Sequence, residues 1–424
     1  MGGAGCGGVS TGGGCGKKKM LFIALLRSVV RVGSLRVIDP GGRSHLVGDG
    51  TAPAVTIVLK ARRLDYLLAL NPALSLGEAY MDGLLTIEDG TLFDFLALLA
   101  RNYGTLGKSA WLSLLERLSR LLKQSNPLGR ARRNVAFHYD LSDRLYDIFL
   151  DRDRQYSCAY FRDPGDDLEK AQQDKMRHLA AKLLLDRPRL RVLDIGSGWG
   201  GLALHMAKAA GADVTGVTLS VEQHKVSEER ARSGGLAGQV RFLNCDYRQL
   251  TGVYDRIVSV GMFEHVGKRN YREFFAKLGG LLAEDGVAVL HSIGYADAPA
   301  PINPFIRKYI FPGADLPSLS EVFAVVEKSG LFVTDVEILR LHYAYTLRRW
   351  RERLAARREE VVRLYDERFY RLWEFYFVLC EIGFRYRTNI VFQMQVSKRL
   401  ETVPITRDYM FERERAEALA LAGG

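Results

Sequence analysis

A chain of 424 residues is longer than one hydrophobic core usually supports, so the sequence predicts two domains. Its net charge of +11 indicates a polyanionic partner, either a nucleic acid or the anionic face of a membrane. The five cysteines include no C-x-x-C pair, which is typical of a reducing cytoplasm and argues against a disulfide framework or structural zinc.

Residues 1–19 are rich in glycine and are predicted to be a disordered tail. The stretch KKKMLFIALL at 17–26 begins like a signal peptide, but Arg27 interrupts it and no cleavage site of small residues follows. We therefore interpret it as part of the mature protein. No apolar run in the sequence approaches the ~20 residues that are needed to cross a bilayer.

Residues 20–124 are predicted to form a small α+β domain that contains no catalytic cluster. Its expected strands and helices are 34–38, 54–59, 62–70, 74–81 and 92–99. The segment WLSLLERLSRLL at 111–122 has an apolar stripe opposite basic residues, which is typical of a helix that lies on a membrane or packs on a neighbour. Both interpretations stay open, and residues 125–133 are expected to be a basic linker.

Strands and helices then alternate from residue 134 to 400, which predicts a doubly wound sheet in a catalytic domain. The expected strands are 192–195, 214–217, 240–244, 256–260, 287–292, 332–339 and 390–396, with helices between them that include 271–281. Two long charged helices are expected within 344–359 and 361–386 as an insertion. We interpret the aromatic face of the second as core, with an acyl-chain wall as the alternative. Residues 401–424 are predicted to be a C-terminal tail.

The sequence RVLDIGSGWGG at 191–201 indicates a buried strand, a glycine-rich turn and the start of a helix. In an open α/β sheet such a turn lies at the carboxyl end of the first strand, where a helix N-terminus binds a nucleotide. A nicotinamide site would need an acid at the end of the second strand, but that strand ends in Thr218, Leu219 and Ser220. S-adenosylmethionine sites use an acid just before the glycines, here Asp194. The pattern therefore favours a methyltransferase over a dehydrogenase or a turn without a ligand.

Polar residues also follow other strands of the predicted sheet. The motif GMFEHVG at 261–267 comes directly after the fourth strand and brings Glu264 and His265 beside the cofactor loop. A glutamate in a loop is usually solvated, but its apolar neighbours indicate that Glu264 faces inward. His291 lies at the end of the fifth strand. The apolar segment QYSCAYF at 155–161 contains a cysteine, which alone indicates only a small hydrophobic residue.

In order and combination, these motifs resemble the cyclopropane-fatty-acyl-phospholipid synthase family, relatives of the mycolic acid methyltransferases. The resemblance covers about residues 134–400, and members that act on phospholipids carry an extra domain, which here matches residues 20–124. One departure is Ser197, where many members have cysteine. The matching segments are HYDLSDRLYDIFLD (138–151), YSCAYF (156–161), LEKAQQDK (168–175), LDIGSGWGG (193–201), VTLSVEQ (217–223), DRIVSVGMFEHVG (255–267), LHSIG (290–294) and HYAYTLRRW (342–350).

The resemblance implies a Rossmann-like class I methyltransferase sheet with a helical insertion. The implied reaction transfers a methylene group from S-adenosylmethionine to the cis double bond of an acyl chain in a membrane phospholipid. Methyl transfer would leave a carbocation that aromatic faces stabilise, and loss of a proton would close the ring. The residues that match the family's cofactor site are Tyr156, Ser157, Asp194, Gly196, Ser197, Gly198, Gly200, Thr218, Leu219, Ser220, Gln223, Asp246 and Tyr247.

The resemblance also implies a bound bicarbonate as the base, held by residues matching Cys158, Glu264, His291, Ile293 and Tyr343. Cys380 matches a cysteine that is often named as the active-site residue. A homodimer on the cytoplasmic, inner face of a membrane is expected, with anionic lipid favoured and no nucleic acid as partner. Three rival functions stay open: a fatty-acid methyltransferase that forms a methyl or methylene branch, a small-molecule or RNA methyltransferase, and a non-catalytic lipid-binding protein.

Overall fold

The structure is a computed structural model and describes residues 20–52, 54–102 and 143–422. Its N-terminal unit consists of α1 (Leu21–Val29), β1 (Ser34–Ile38), β2 (Ser44–Gly48), β3 (Ala54–Leu59), α2 (Leu64–Leu70), α3 (Pro72–Met81), β4 (Leu85–Asp89) and α4 (Leu92–Asn102). The four strands form a sheet in the order β2-β1-β3-β4. Strands β1 and β3 are parallel, and the other neighbours are antiparallel.

Three of these elements were missed by the sequence analysis. Helix α1 occupies the stretch that begins like a signal peptide, and it buries Phe22, Ile23 and Leu26 on one face. Strands β2 and β4 are edge strands of five residues with one buried side chain each, Val47 and Leu85. Such short strands have too little alternation of apolar and polar residues to be recognised.

The second part consists of α5 (Asp143–Phe149), α6 (Leu168–Lys182), β5 (Arg191–Ile195), α7 (Gly201–Ala210), β6 (Asp213–Thr218), α8 (Val221–Ser233), β7 (Val240–Asn244), β8 (Tyr254–Val260), α9 (Tyr271–Leu281), β9 (Leu282–Tyr295), α10 (Pro304–Tyr309), α11 (Leu319–Val326), β10 (Phe332–Ile338), α12 (His342–Ala356), α13 (Arg358–Leu364), α14 (Glu367–Tyr386), β11 (Asn389–Ser397) and α15 (Asp408–Ala422).

Seven strands form the sheet of this part, in the order β10-β11-β9-β8-β5-β6-β7. Strands β5 to β9 are parallel, and β11 runs antiparallel to both of its neighbours. This is the Rossmann-like α/β sheet that the sequence predicted, and each expected strand is present. Strand β9 begins at Leu282, earlier than the predicted start at 287. The polar residues Glu284 and Asp285 interrupt the apolar pattern near the start of the strand, so the sequence does not reveal its first residues.

The insertion between β10 and β11 contains three helices, α12 to α14, where the sequence predicted two. The extra break precedes Asp366, whose side chain caps α14 by accepting a hydrogen bond from the Phe369 N–H (2.6 Å). The aromatic face of α14 is buried, with Trp373 and Phe377 almost inaccessible to solvent. The prediction that this face is core is therefore confirmed, whereas its use as an acyl-chain wall stays a prediction.

The N-terminal unit packs directly against this insertion. A Cβ atom at Gly77 of α3 would collide with the rings of Phe305 and Phe375, so these rings pack against the α3 backbone as closely as glycine allows. At the edge of this contact, the Tyr80 hydroxyl donates a hydrogen bond to Glu374 (2.5 Å). The two parts share one hydrophobic core, so removal of residues 20–102 would expose the surface of α14 that packs on α3 and α4, including Phe375.

Residues 408–422, within the predicted C-terminal tail, form helix α15 on the surface of α6. Its buried Glu414 lies 2.5 Å from His178 and 2.7 Å from Arg162. The predicted tail at 1–19, the amphipathic segment at 111–122 and the linker at 125–133 lie outside the described residues. In the described ranges, no helix combines the length and the apolar character that a membrane span needs.

Candidate active site

The turn after β5 has a backbone that glycine adopts without strain. Gly196, Gly198 and Gly200 have positive φ angles of 86°, 55° and 82°. Gly200 is the N-cap of α7, so the free N–H groups at the start of that helix face the turn. A Cβ atom at Gly200 would lie 2.7 Å from Phe242, which also requires glycine at this position.

A cavity of about 160 Å³ opens at this turn, beyond the carboxyl ends of β5, β6 and β8. Ser220 and Gly200 do not line it: Ser220 caps α8 by accepting a hydrogen bond from the Gln223 N–H (3.3 Å). The other predicted cofactor residues do line it, and their binding of a cofactor stays a prediction. These residues are Tyr156, Ser157, Asp194, Gly196, Ser197, Gly198, Thr218, Leu219, Gln223, Asp246 and Tyr247.

Two buried carboxyl groups, with Arg154 and Arg248, line the cavity wall. Asp194 is almost fully buried at the end of β5, and this burial raises the pKa of its carboxyl group to about 7, against the opposing charge of Lys175. Asp246 is also buried and pairs with Arg248 at 2.8 Å. A cavity with carboxylates in its wall suits a ligand that carries positive charge, as a sulfonium does.

Tyr156 connects the cavity to the aromatic face of the insertion. Its hydroxyl lies 3.1 Å from the hydroxyl of Tyr376 on α14, and its ring centroid is 5.1 Å from that of Trp350 on α12. Burial raises the pKa of Tyr376 well above its usual value, and the neighbouring Tyr156, Cys380 and Tyr343 add to this effect. The cavity is thus bounded on one side by the ring of Tyr156, which other buried aromatic rings support.

Glu264 is buried in a short helical turn just after β8. Its Oε1 accepts a hydrogen bond from the Ile293 N–H (2.7 Å). The neighbouring Ser292 hydroxyl donates to the Ile293 carbonyl (2.9 Å), and Glu264 Oε2 has no hydrogen-bond partner among the described residues. Burial raises the pKa of Glu264 to about 7, although the Ile293 hydrogen bond opposes this effect.

His291 lies two residues before Ile293 on β9, so both side chains point to the same face of the sheet. Its Nδ1 is 3.2 Å from the amide nitrogen of Gln393 on β11. Burial, followed by the positive charges of Lys175 and Lys182, lowers the pKa of His291 well below its usual value. The imidazole is therefore neutral at neutral pH and can donate one hydrogen bond while it accepts another.

The backbone next to Cys158 contacts α12, the helix that carries Tyr343. The Cys158 thiol donates a hydrogen bond to the Ala159 carbonyl (3.3 Å). The Ala159 N–H donates to Thr346 (3.0 Å), one turn beyond Tyr343 on α12. Burial raises the pKa of Cys158 far above neutrality, so its thiol stays protonated. Cys380 lies on α14, and burial raises the pKa of its thiol to about 12.

The cavity also has lining residues that the sequence analysis did not assign to the cofactor, among them Arg154, Gln155, Met262 and His265. Burial lowers the pKa of His265 to about 4, so this side chain is neutral. The signal for these residues was present: two of them directly precede Tyr156, and two lie in the GMFEHVG motif. Glu264, from the same motif, does not line the cavity and faces β9 instead.

Comparison with known proteins gives one family. Residues 127–394 match the sequence model of the family described as mycolic acid cyclopropane synthetase. The chain is 38% identical over 361 residues to the cyclopropane-fatty-acyl-phospholipid synthase of Escherichia coli (strain K12), which covers 85% of this chain and 92% of that protein. It is 37% identical over 352 residues to a probable fatty acid methyltransferase of Pseudomonas putida, which covers 79% and 85%.

A crystal structure of a mycolic acid cyclopropane synthase, complexed with SAH (S-adenosylhomocysteine) and CTAB, has the same fold. Its TM-score is 0.60 at 33% sequence identity, and the match covers 64% of this chain and 99% of that chain. S-adenosylhomocysteine is what S-adenosylmethionine becomes when it gives up its methyl group.

Proposed function

The chain belongs to the mycolic acid cyclopropane synthetase family and is an S-adenosylmethionine-dependent methyltransferase, and from this we propose that it acts as a cyclopropane fatty acid synthase. In this proposal it transfers a methylene group to the cis double bond of an unsaturated acyl chain in a membrane phospholipid. The observation that supports it most strongly is the match to the Escherichia coli enzyme over 85% of this chain.

The surroundings of the cavity suit this chemistry. An alkene is a very weak nucleophile, so it must be held against the sulfonium methyl group in a dry and oriented site. Methyl transfer would leave a carbocation on the acyl chain, which water would quench and aromatic faces would stabilise. The ring of Tyr156 lines the cavity, and those of Trp350 and Tyr376 pack against Tyr156, so we propose that this aromatic cluster serves both purposes.

The polar side chains of Glu264 and His291 suit bicarbonate. Glu264 Oε2 is buried and lacks a partner among the described residues, and a buried carboxylate oxygen in that state is costly unless a ligand donates to it. Neutral His291 can donate to the same small anion. When bound, bicarbonate supplies a base for the proton that leaves the new methyl group. The residues proposed to hold it are Cys158, Glu264, His291, Ile293 and Tyr343.

The name of the Pseudomonas putida relative supports a second candidate function, that of a fatty-acid methyltransferase that leaves a methyl or methylene branch. Mass spectrometry of phospholipid acyl chains from cells that express the protein would separate the two. Cyclopropane formation adds one carbon and leaves a chain that resists hydrogenation under conditions that saturate an alkene. A saturated methyl branch, or a methylene branch that is hydrogenated, would establish the second candidate instead.

Cys380→Ser should retain most of the activity, within about threefold of the wild type, because a protonated thiol has no nucleophilic task in this mechanism. Burial keeps this thiol protonated, since it raises its pKa to about 12. Turnover is measured on phospholipid vesicles, with thermal unfolding as the check on folding. A folded Cys380→Ser protein without activity would instead assign the cysteine a covalent role.

We also propose that the protein acts as a homodimer on the inner face of the membrane and favours anionic lipid. The exposed surface of α2 supports the membrane contact, because Tyr66, Leu67 and Leu70 lie on it beside the exposed cations Arg62 and Arg63. Light scattering of the purified protein tests the dimer, and a monomer at working concentration would contradict it.

Reversal of both charges, Arg62→Glu with Arg63→Glu, should weaken binding to anionic vesicles by about tenfold or more and reduce its salt dependence. The matched control reverses two exposed cations of the catalytic domain, Arg187 and Lys208. Vesicle sedimentation at several salt concentrations measures both. Equal losses in the two double variants would mean that net charge, and not the α2 surface, governs binding.

A further inference from the structure

The segment 151–158, which supplies Tyr156 and Ser157 to the cavity wall, is held under backbone strain. Arg154 has a φ angle of 51°, in the left-handed region that residues other than glycine seldom adopt. The Arg154 guanidinium pairs with Asp147 (2.7 Å) and Asp143 (2.9 Å) on α5, and these ion pairs stabilise the strained conformation. On the buried side of the segment, the Gln172 side-chain amide on α6 donates hydrogen bonds to the carbonyls of Gln155 (3.1 Å) and Ser157 (3.0 Å).

Lys175, one turn after Gln172 on α6, reaches the same segment with its charge. Its side chain is fully buried, and its Nζ donates hydrogen bonds to Ser157 Oγ (3.0 Å) and to Gln155 Oε1. Lys170 and Lys182 on the same helix lie within ion-pair distance of carboxylates. In the part of the chain that the structure describes, no carboxylate lies that close to Lys175.

Burial of an ammonium group without a close ion pair costs folding free energy, so the presence of Lys175 at this position indicates a functional role. Burial lowers the pKa of Lys175 to about 8. The groups that interact with it electrostatically converge from several elements: Asp151, Asp153 and Cys158 in the strained segment, Asp194 at the end of β5, and His291 on β9. Of these, Asp194 lines the cofactor cavity, and Lys175 is the charged group that stabilises its ionised form.

We infer that Lys175 is a positioning residue of the cofactor site: its buried ammonium holds Gln155 and Ser157 at the cavity wall and supplies the positive charge that offsets Asp194. The inference rests on the S-adenosylmethionine-dependent activity and not on the identity of the lipid product. Lys175 does not line the cavity, so it acts through the side chains that do.

Lys175→Met keeps most of the length of the side chain and removes its charge. We expect the Kd for S-adenosylmethionine at pH 7, measured by calorimetry, to rise about tenfold or more, because Ser157 and Gln155 lose their donor and Asp194 loses its counter-charge. Lys170→Met is the matched control, since Lys170 lies on the same helix but is half exposed and pairs with Asp166 and Asp174. It should bind the cofactor as the wild type does.

The pH profile distinguishes this role from a structural one. The pKa of Asp194 is about 7 in the wild type, so affinity for the cationic cofactor should fall as the pH falls through that value. Without Lys175 this pKa is higher, and the fall should begin at a higher pH. Lys175 itself loses its charge above about pH 8, so the part of the affinity difference that depends on charge should disappear as the pH approaches 9. The part that depends on hydrogen bonding to Ser157 and Gln155 should remain, because a neutral amine still donates hydrogen bonds.

Wild-type affinity of Lys175→Met at every pH, or a loss that is constant across the pH range, would overturn the inference. Lys175→Arg keeps the charge and should leave the acid limb of the profile in its wild-type position, so it carries the test alone if Lys175→Met does not fold. If a folded Lys175→Arg protein lost cofactor affinity at a higher pH than the wild type does, this result would also overturn the inference. If the wild-type protein binds the cofactor but makes no cyclopropane, the proposed function is wrong and this inference is unaffected.

Discussion

Glu264→Gln should lower kcat by about 10²–10⁴-fold and leave the affinity for S-adenosylmethionine unchanged. The substitution keeps the shape of the side chain but removes the carboxylate whose Oε2 lacks a partner among the described residues. Glu264 does not line the cavity that we propose for the cofactor, so binding of the cofactor should not depend on it. Turnover on phospholipid vesicles and calorimetry with the cofactor measure the two effects separately.

The pH dependence gives this prediction a second measurement. Burial raises the pKa of Glu264 to about 7, so its ionised form is lost as the pH falls through that value. Wild-type kcat should therefore rise with pH around neutrality, and the glutamine variant should lack this rise. Glu284→Gln, at the exposed start of β9, is the control. If Glu264→Gln turned over normally while Cys380→Ser was inactive, the carboxylate-centred site would have to be given up.

Gly198→Val should weaken binding of S-adenosylmethionine by more than about 100-fold, with the fold retained. A Cβ atom at Gly198 meets no protein atom within 4 Å, and the residue lines the cavity, so the added side chain would occupy space that the cofactor needs. The φ angle of 55° adds strain, which lowers stability but does not by itself block a ligand.

Gly235→Val separates strain from obstruction. Gly235 has a similar φ angle of 69°, and a Cβ atom there would also meet no protein atom within 4 Å, but this glycine lies in the loop after α8 and does not line the cavity. The two variants should lose comparable stability in thermal unfolding, and only Gly198→Val should lose cofactor binding. Unchanged calorimetric affinity in a folded Gly198→Val protein would remove the turn from the site.

The sequence predicted the parts of the site that are built from short, local patterns. The turn after β5 was recognisable because three glycines must take positive φ angles directly after an apolar strand. Glu264 was expected to face inward from its apolar neighbours, and it is buried. In both places the residues that determine the geometry are adjacent in the chain, so one window of sequence contains the whole signal.

The rest depends on contacts between distant segments, which no local pattern reveals. A lysine on a helix is usually exposed to solvent, and only the fold shows that Lys175 points at Ser157. Helix α15 has no clear amphipathic pattern, and its buried Glu414 is stable because His178 lies beside it. Likewise, the contact between Gly77 and α14 joins residues about 300 positions apart, so the close packing of the two parts could not be predicted.

The measurement that tests the central proposal most directly uses purified protein, vesicles of a monounsaturated phospholipid and S-adenosylmethionine with a fully deuterated methyl group. We expect a lipid product that gains one carbon, retains two of the three deuterons and shows the NMR signals of a cyclopropane ring, because one deuteron leaves when the ring closes. A product that retained all three deuterons on a saturated branch, or vesicles without any new acyl chain, would contradict the assignment.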